Sequence, residues 1–264
     1  MSLLVKAART GRDVVTVPPG AAGLRHVAFS AHRLAEGERL DLEPSGREVC
    51  VVVLAGVVTV RSGAAEFRAI GRRRSVFEDE PPFAAYLPGT APIAVVAHGA
   101  AEVAVCSAPA AGRLPPRLVE PGSMRRSVRG KDLNTRYVTD ILPETEPAEA
   151  LLVVEVRTPS GHSSSYPPHK HDRDAPPEET QLEETYYHRL DPPQGFAFQR
   201  VYTDARDLDE SHAVEDHDVV IVPRGYHPVV VPYGYSSWYL NVMAGPRRAW
   251  HFRNDPAHEW ILKR

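Results

Sequence analysis

Tyr166-Pro167-Pro168-His169-Lys170-His171-Asp172 sets two histidines one residue apart, and on an extended strand alternate side chains share a face. Two further stretches complete the pattern. Leu182-Glu183-Glu184-Thr185-Tyr186-Tyr187 puts a carboxylate at the head of a strand-like run, and Val219-Val220-Ile221-Val222-Pro223-Arg224-Gly225-Tyr226-His227 puts a third histidine just past a turn signal. Three imidazoles and one carboxylate make a mixed nitrogen and oxygen donor set suited to Zn²⁺, Mn²⁺, Fe²⁺ or Ni²⁺. Four such donors must converge on one point inside a closed sheet.

The rest of the chain agrees with a β fold. Its 264 residues include 25 Pro and 18 Gly, and its apolar runs are short and valine-rich, which disfavours long helices and favours strands joined by turns. An all-β protein is expected. The net charge of -3, with both signs well mixed, gives no polycationic face, so neither nucleic acid nor an anionic membrane is an expected partner and the ligand should be small. No stretch approaches the ~18 apolar residues that span a bilayer, and no apolar leader is visible near Met1, so the chain reads as cytoplasmic. Cys50 and Cys106 sit inside valine-rich runs, where cysteine behaves as a small buried hydrophobe.

Strand signals come in two sets. Leu24 to Leu34, Arg39 to Glu43, Glu48 to Arg61, Phe83 to Tyr86, Ile93 to Ala97 and Glu102 to Cys106 make the first, with the rhythm of a sandwich or barrel. From about Pro109 to Ser127 the periodicity lapses into Pro and Gly, which reads as a linker or crossing segment. Strands restart at Tyr137. Two domains are expected, 1–117 and 118–264. Glu48 is followed by Leu54 and Pro88 at nearly the offsets at which Glu184 is followed by Leu190 and Pro223. The implied duplication puts Asp41 and Glu43 where a histidine pair would stand, and Ala91 where His227 stands, so the first copy should be metal-free and the chain should carry one divalent metal.

A histidine pair, a glutamate and a distant histidine after a Pro-x-Gly turn, on a strand-rich double repeat, resemble the cupin superfamily in its two-barrel form. Closer still, Pro167-Pro168-His169-Lys170-His171-Asp172, Leu182 to Arg189, Pro192 to Tyr202, Val222 to Val229 and Leu240 to Trp250 resemble the 5-deoxy-glucuronate isomerase family of bacterial myo-inositol catabolism. The likeness is specific from Ser165 to Trp260 and architectural before residue 120. It implies two tandem cupin barrels and an aldose-ketose isomerisation between 5-deoxy-D-glucuronate and 5-dehydro-2-deoxy-D-gluconate. It also implies one metal, Zn²⁺ first, on His169, His171, Glu184 and His227. Twelve residues, Asp172 to Glu183, separate His171 from Glu184 where cupins usually have three or four, so Glu183 competes for the ligand position and this insertion reads as a loop at the barrel mouth.

If Glu184 points inward, so do Tyr186 and His188, which become acid/base candidates, with barrel packing as the plain alternative. Tyr226, beside His227, joins the catalytic set. Tyr239 and Asn241 on the last barrel strand are substrate-binding candidates, and a sugar acid's carboxylate calls for an arginine fork. Arg253 in the aromatic-rich tail and Arg200 on the return strand are the favoured clamps; Arg247 and Arg248 also lie in that tail. The proton carrier stays open among Tyr186, His188 and a metal-bound hydroxide, and a hydride shift remains an alternative route. Two other functions use the same scaffold: an Fe²⁺ dioxygenase and a non-catalytic sugar-binding protein. Exposed Pro-rich and aromatic segments are compatible with a homo-oligomer.

Overall fold

The computed structural model describes residues 2–263. Among them every strand pair is antiparallel and the helices are short 3-10 turns. In the first half a six-stranded sheet runs, in spatial order, Arg117–Val119, Ala84–Leu87, Arg47–Ala55, Ala101–Pro109, Ala28–Leu34 and Asp13–Val17. A four-stranded sheet of Arg39–Leu42, Ile93–Ala97, Val58–Ser62 and Ala65–Ile70 closes it. The second half repeats the plan. Its seven-stranded sheet is Leu4–Val5, Val219–Val222, Glu183–Asp191, Ser236–Ala244, Leu152–Thr158, Arg136–Leu142 and Arg125–Arg129. Its four-stranded sheet is Ser163–Ser164, Val229–Val230, Phe196–Tyr202 and Asp209–Glu215. The fold is the expected double cupin barrel.

Three cores hold it. Val49, Val51 and Val53 alternate into the first barrel against Leu40, Val60 and Val95, filling it with aliphatic side chains. Cys50, Val52 and Leu54 point the other way, against Ile221, Trp238, Leu240 and Val242 of the second half. Arg47–Ala55 is thus buried on both faces, which is why its sequence is a continuous apolar run with no alternation. The two cysteines are free, buried and opposite one another across the ladder. The third core lines the second barrel with Val154, Val201, Val222 and Val229, but here aromatic and polar side chains replace aliphatics toward one end.

Two acids join the halves reciprocally. The Glu48 carboxylate accepts the backbone N–H groups of Glu149, Ala150 and Leu151 at 2.8, 2.6 and 2.6 Å. Glu183 does the same in the opposite direction, accepting from Arg25, His26 and Val27 at distances of 2.7–3.3 Å. Glu48 is therefore the counterpart of Glu183, and the repeat frame shifts by one residue: forty residues separate each from its turn proline, Pro88 and Pro223. Val49 then occupies the Glu184 position. Asp41 is exposed and paired with Arg39, and Glu43 is exposed, so neither acid enters the first barrel.

The expected boundary at 117/118 falls inside a strand. Arg117–Val119 pairs with Ala84 to Tyr86 and belongs to the first sheet, whereas Leu4–Val5 pairs with Val219 and Val220 and extends the second. The segment expected as a linker is thus partly ordered by pairing with its neighbours. No helix among the described residues is long and apolar enough to cross a membrane.

Candidate metal centre

The two-residue strand His169–Lys170 pairs with Arg253–Asn254 at the mouth of the second barrel. Period-two alternation turns His169 and His171 to the interior, while Lys170 points away to Asp172 and Asp204 at 3.0 and 2.8 Å. The long insertion after His171 returns to its starting point, because Leu182 N–H donates to His171 O at 2.8 Å. Glu179 ties the loop by accepting from the backbone of Asp172 and Arg173. Glu184 is thereby brought back beside His171.

His227 arrives from the turn after Val222. Gly225 has φ +93°, and a Cβ there would lie 2.4 Å from Tyr202 O. That close approach lets Tyr202 and Tyr226 exchange backbone hydrogen bonds at 2.9 and 2.7 Å, which fixes the next residue. A Gly225→Ala change should cost about 2–3 kcal/mol of stability and lower metal content, measured by thermal melting and elemental analysis. Retained melting temperature and metal would contradict this positioning role.

The three histidines offer nitrogens that all lie within 4.8 Å of one another. Glu184 Oε2 is 3.1 Å from His171 Nε2 and 3.2 Å from His227 Nε2. His171 Nδ1 donates to Leu182 O at 3.0 Å and His227 Nδ1 to Gly225 O at 2.8 Å. Since a carbonyl only accepts, these contacts fix the tautomer and leave each Nε2 lone pair facing the Glu184 carboxylate. Acceptors facing acceptors repel unless a cation or a proton lies between them. His227 Nε2 is buried and makes no hydrogen bond, a costly state that a metal ion would relieve.

Electrostatics say the same. Burial holds His169 well below the ordinary imidazole pKa, with His227 and His171 adding to the effect. Burial also pushes His227 down to about 4, although Glu184 opposes it. His171 is buried too, but the hydrogen bond and charge of Glu184 outweigh that and raise it. Two rings are thus neutral, the form in which an imidazole can ligate a cation, and the third shares with Glu184 a proton that a cation would displace.

Beside the triad a cavity opens between the strands. Tyr186, Tyr239, Asn241 and Ser165 line it together with His169 and Glu184, so five of the expected site residues meet there. Tyr186 Oη is 3.0 Å from Ser165 Oγ, and Tyr239 Oη is 2.5 Å from Ser164 Oγ. His188 lies deeper, stacked on Tyr186 at 5.9 Å and bonded through Nε2 to Gln199 at 2.9 Å, with burial taking its pKa down to about 4. It packs the barrel behind Tyr186 without bordering the cavity.

The Glu183 alternative falls away, and three expectations change. Glu183 is spent on the backbone of residues 25–27 and does not reach the histidines. Tyr226 faces outward, its hydroxyl on Asp204 at 2.8 Å and its ring under Lys170, so it supports the loop and not the cavity. Arg200 is exposed in a two-point pair with Asp209, both contacts 2.7 Å. Arg253 is exposed on the far side of the His169 ladder. The other two tail arginines are also occupied, Arg247 with Asp174 and Arg248 with carbonyls of the 142–151 region. The cavity instead contains Arg129, Arg136 and Trp250, which the sequence alone did not single out. A separate groove between the barrels carries Arg126 and Arg157, but both are paired with Asp79.

Known proteins resemble the whole chain. A protein from Geobacillus kaustophilus named 5-deoxy-glucuronate isomerase is 48% identical over 251 residues, 95% of this chain and 91% of its own. One of the same name from Bacillus subtilis subsp. natto is 52% identical over 242 residues, 91% and 89% of the two chains. The crystal structure of an IolB-like protein from Salmonella typhimurium superposes with TM-score 0.97 at 46% identity, covering 99% of this chain and 100% of that one. The oxalate decarboxylase of Lactobacillus farciminis shares only the fold, with TM-score 0.62 at 11% identity over 98% and 88% of the chains. With the KduI/IolB family model matching residues 3–261, the chain belongs to the KduI/IolB family.

Proposed function

We propose that the protein is a metal-dependent aldose-ketose isomerase interconverting 5-deoxy-D-glucuronate and 5-dehydro-2-deoxy-D-gluconate in myo-inositol breakdown. The substrate is supported by the relatives' names at about half identity over nine-tenths of the chain. The metal is supported above all by the orphaned, tautomer-locked His227 Nε2. His169, His171, His227 and Glu184 would hold one divalent cation, zinc foremost.

When bound, that cation supplies a Lewis acid that polarises the substrate carbonyl and acidifies the neighbouring C–H. The chain's own residues handle protons on oxygen. Burial raises the pKa of Tyr186 far above its usual value and that of Tyr239 as well, so both hydroxyls keep their protons at neutral pH and act as donors. Ser165 Oγ, 3.0 Å from Tyr186 and 3.5 Å from Tyr239, links them into a short hydroxyl chain. Such a chain can give a proton to one substrate oxygen and take one from the next, the oxygen half of an isomerisation whose other half carries one hydrogen from one carbon to its neighbour.

The test is elemental analysis of purified protein together with an NMR assay on 5-deoxy-D-glucuronate. Conversion that a chelator stops and added metal restores is expected; a metal-loaded protein that leaves this substrate unchanged refutes the reading. Tyr186→Phe should lower kcat by roughly 10²–10⁴-fold with metal content intact. Wild-type turnover in that variant would remove Tyr186 from the proton path.

A further inference from the structure

We propose that Arg136, backed by Arg129, is the receptor for the substrate's carboxylate and the determinant of acid over neutral sugars. This deepens the isomerase reading and rests on it for the identity of the substrate, though not for the anion preference itself.

The first observation is register. Arg129 and Arg136 are direct partners across the hairpin that joins Arg125–Arg129 to Arg136–Leu142. Like charges set directly opposite one another destabilise a ladder, so two guanidiniums there need a compensating anion. The protein gives them little. Arg129 has Asp140 at 3.9 Å and otherwise lies over the Trp250 ring at 5.3 Å.

The second observation is that Arg136 has no acid partner among the described residues. Its Nη1 contacts only the Asn134 backbone and side-chain oxygens, at 3.0 and 3.2 Å, and neither Nε nor Nη2 has an acceptor. Burial lowers its pKa, the mark of a cation stripped of water without a counter-charge. A half-buried unpaired guanidinium is expensive, and the arginines first suspected as clamps are matched with Asp209 or Asp174, held by backbone carbonyls, or exposed.

The third is location. Both arginines border the cavity that His169, Glu184 and Tyr186 border. Trp250 Nε1, in the same wall, is a buried donor without a hydrogen-bond partner among the described residues. The cavity thus combines metal-type donors and proton-bearing hydroxyls with guanidinium and indole N–H groups that have nothing to accept from them. A sugar that carries both a reactive carbonyl and a carboxylate fits that combination, and a planar guanidinium meets a carboxylate in two parallel hydrogen bonds.

Binding and turnover are measured separately on the metal-loaded protein. Methyl β-D-glucuronide and methyl β-D-glucoside differ only in the carboxylate and cannot isomerise. By calorimetry the wild type should prefer the glucuronide, Arg136→Ala should lose at least about tenfold of its affinity for it, and affinity for the glucoside should be the same in both. On 5-deoxy-D-glucuronate, Arg136→Ala should raise KM by about 30-fold or more while kcat stays within about threefold, and Arg136→Lys should recover part of the loss. Unchanged metal content and circular dichroism guard against misfolding, and Arg129→Ala, with a smaller KM effect, serves if Arg136→Ala does not fold.

No preference for the glucuronide in the wild type, or unaltered binding and KM in the variants, overturns the proposal. An Arg136-dependent anion preference without isomerisation would uphold it and sink the isomerase reading. Isomerisation with wild-type KM in Arg136→Ala would do the reverse.

Discussion

A His227→Ala protein is expected to purify with less than one metal per chain and without measurable isomerase activity, and His171→Ala and His169→Ala should do likewise. Loss of an outer hydrogen-bonding partner of a ligand already costs roughly 10–100-fold in metal affinity, so loss of the ligand itself should exceed that. His227 is the most informative of the three. Its ring is fully buried, its Nδ1 is held by Gly225 O at 2.8 Å, and its Nε2 has no hydrogen-bond partner among the described residues. Alanine therefore removes a single hydrogen bond of the side chain, the one to Gly225 O, and leaves Glu184 facing His171 alone. Elemental analysis after extensive buffer exchange, paired with the NMR assay, gives the answer. Full metal and activity in all three variants would dissolve the proposed site, and Arg200→Ala, which loses only an exposed pair with Asp209, should behave as wild type.

Swapping two adjacent glutamates should produce opposite phenotypes. Glu184→Gln keeps shape but removes the charge that His171 and His227 face, so metal affinity should fall by roughly 10- to 100-fold or more with little change in melting. Glu183→Gln should leave metal affinity nearly unaltered and destabilise the fold. Its carboxylate accepts N–H groups from Arg25, His26 and Val27, and an amide there turns two more donors toward donors. Charged hydrogen bonds of this kind are worth about 1.5–3 kcal/mol each, so a loss of about 2–4 kcal/mol is expected. For a chain of this size that is roughly 5–10 °C in Tm. Metal titration and thermal melts on the two variants decide it, and reversed results would mean that the strand is slipped by one residue.

The histidines were legible because their geometry is local: one pair on a strand of period two, one ring after a glycine turn. The choice between Glu183 and Glu184 was not, since both are buried and both faces of that strand carry an aromatic. It followed from family likeness, and the structure supplies a physical reason by giving Glu183 separate work between the barrels. Arg200 misled because its strand alternates without saying which face is inside. The buried set is Ala197, Gln199 and Val201, whereas Phe198, the more apolar choice for a core, is 50% exposed. Tyr226 misled by proximity, as the neighbour of an inward residue on an extended segment faces outward. Arg129 and Arg136 lay beyond reach for another reason. Their meeting depends on hairpin register, and that hairpin begins inside the stretch whose Pro and Gly content reads as a linker.

Leu4 pairs with Val220, 216 positions later, and the strand so covered is the one that pairs with Glu184. At a synthesis rate of about 5–20 residues per second, this first strand leaves the ribosome on the order of ten to forty seconds before its partner exists. The interval belongs to the first barrel, which can fill with aliphatic side chains and close around them while Leu3, Leu4 and Val5 wait. Only when Ser236–Ala244 has emerged can the second sheet form, take in the waiting strand and bring its histidines to a common point. Assembly of this protein is therefore ordered in time, and the histidine cluster comes together only in the last step, when Leu4–Val5 meets Val219–Val222.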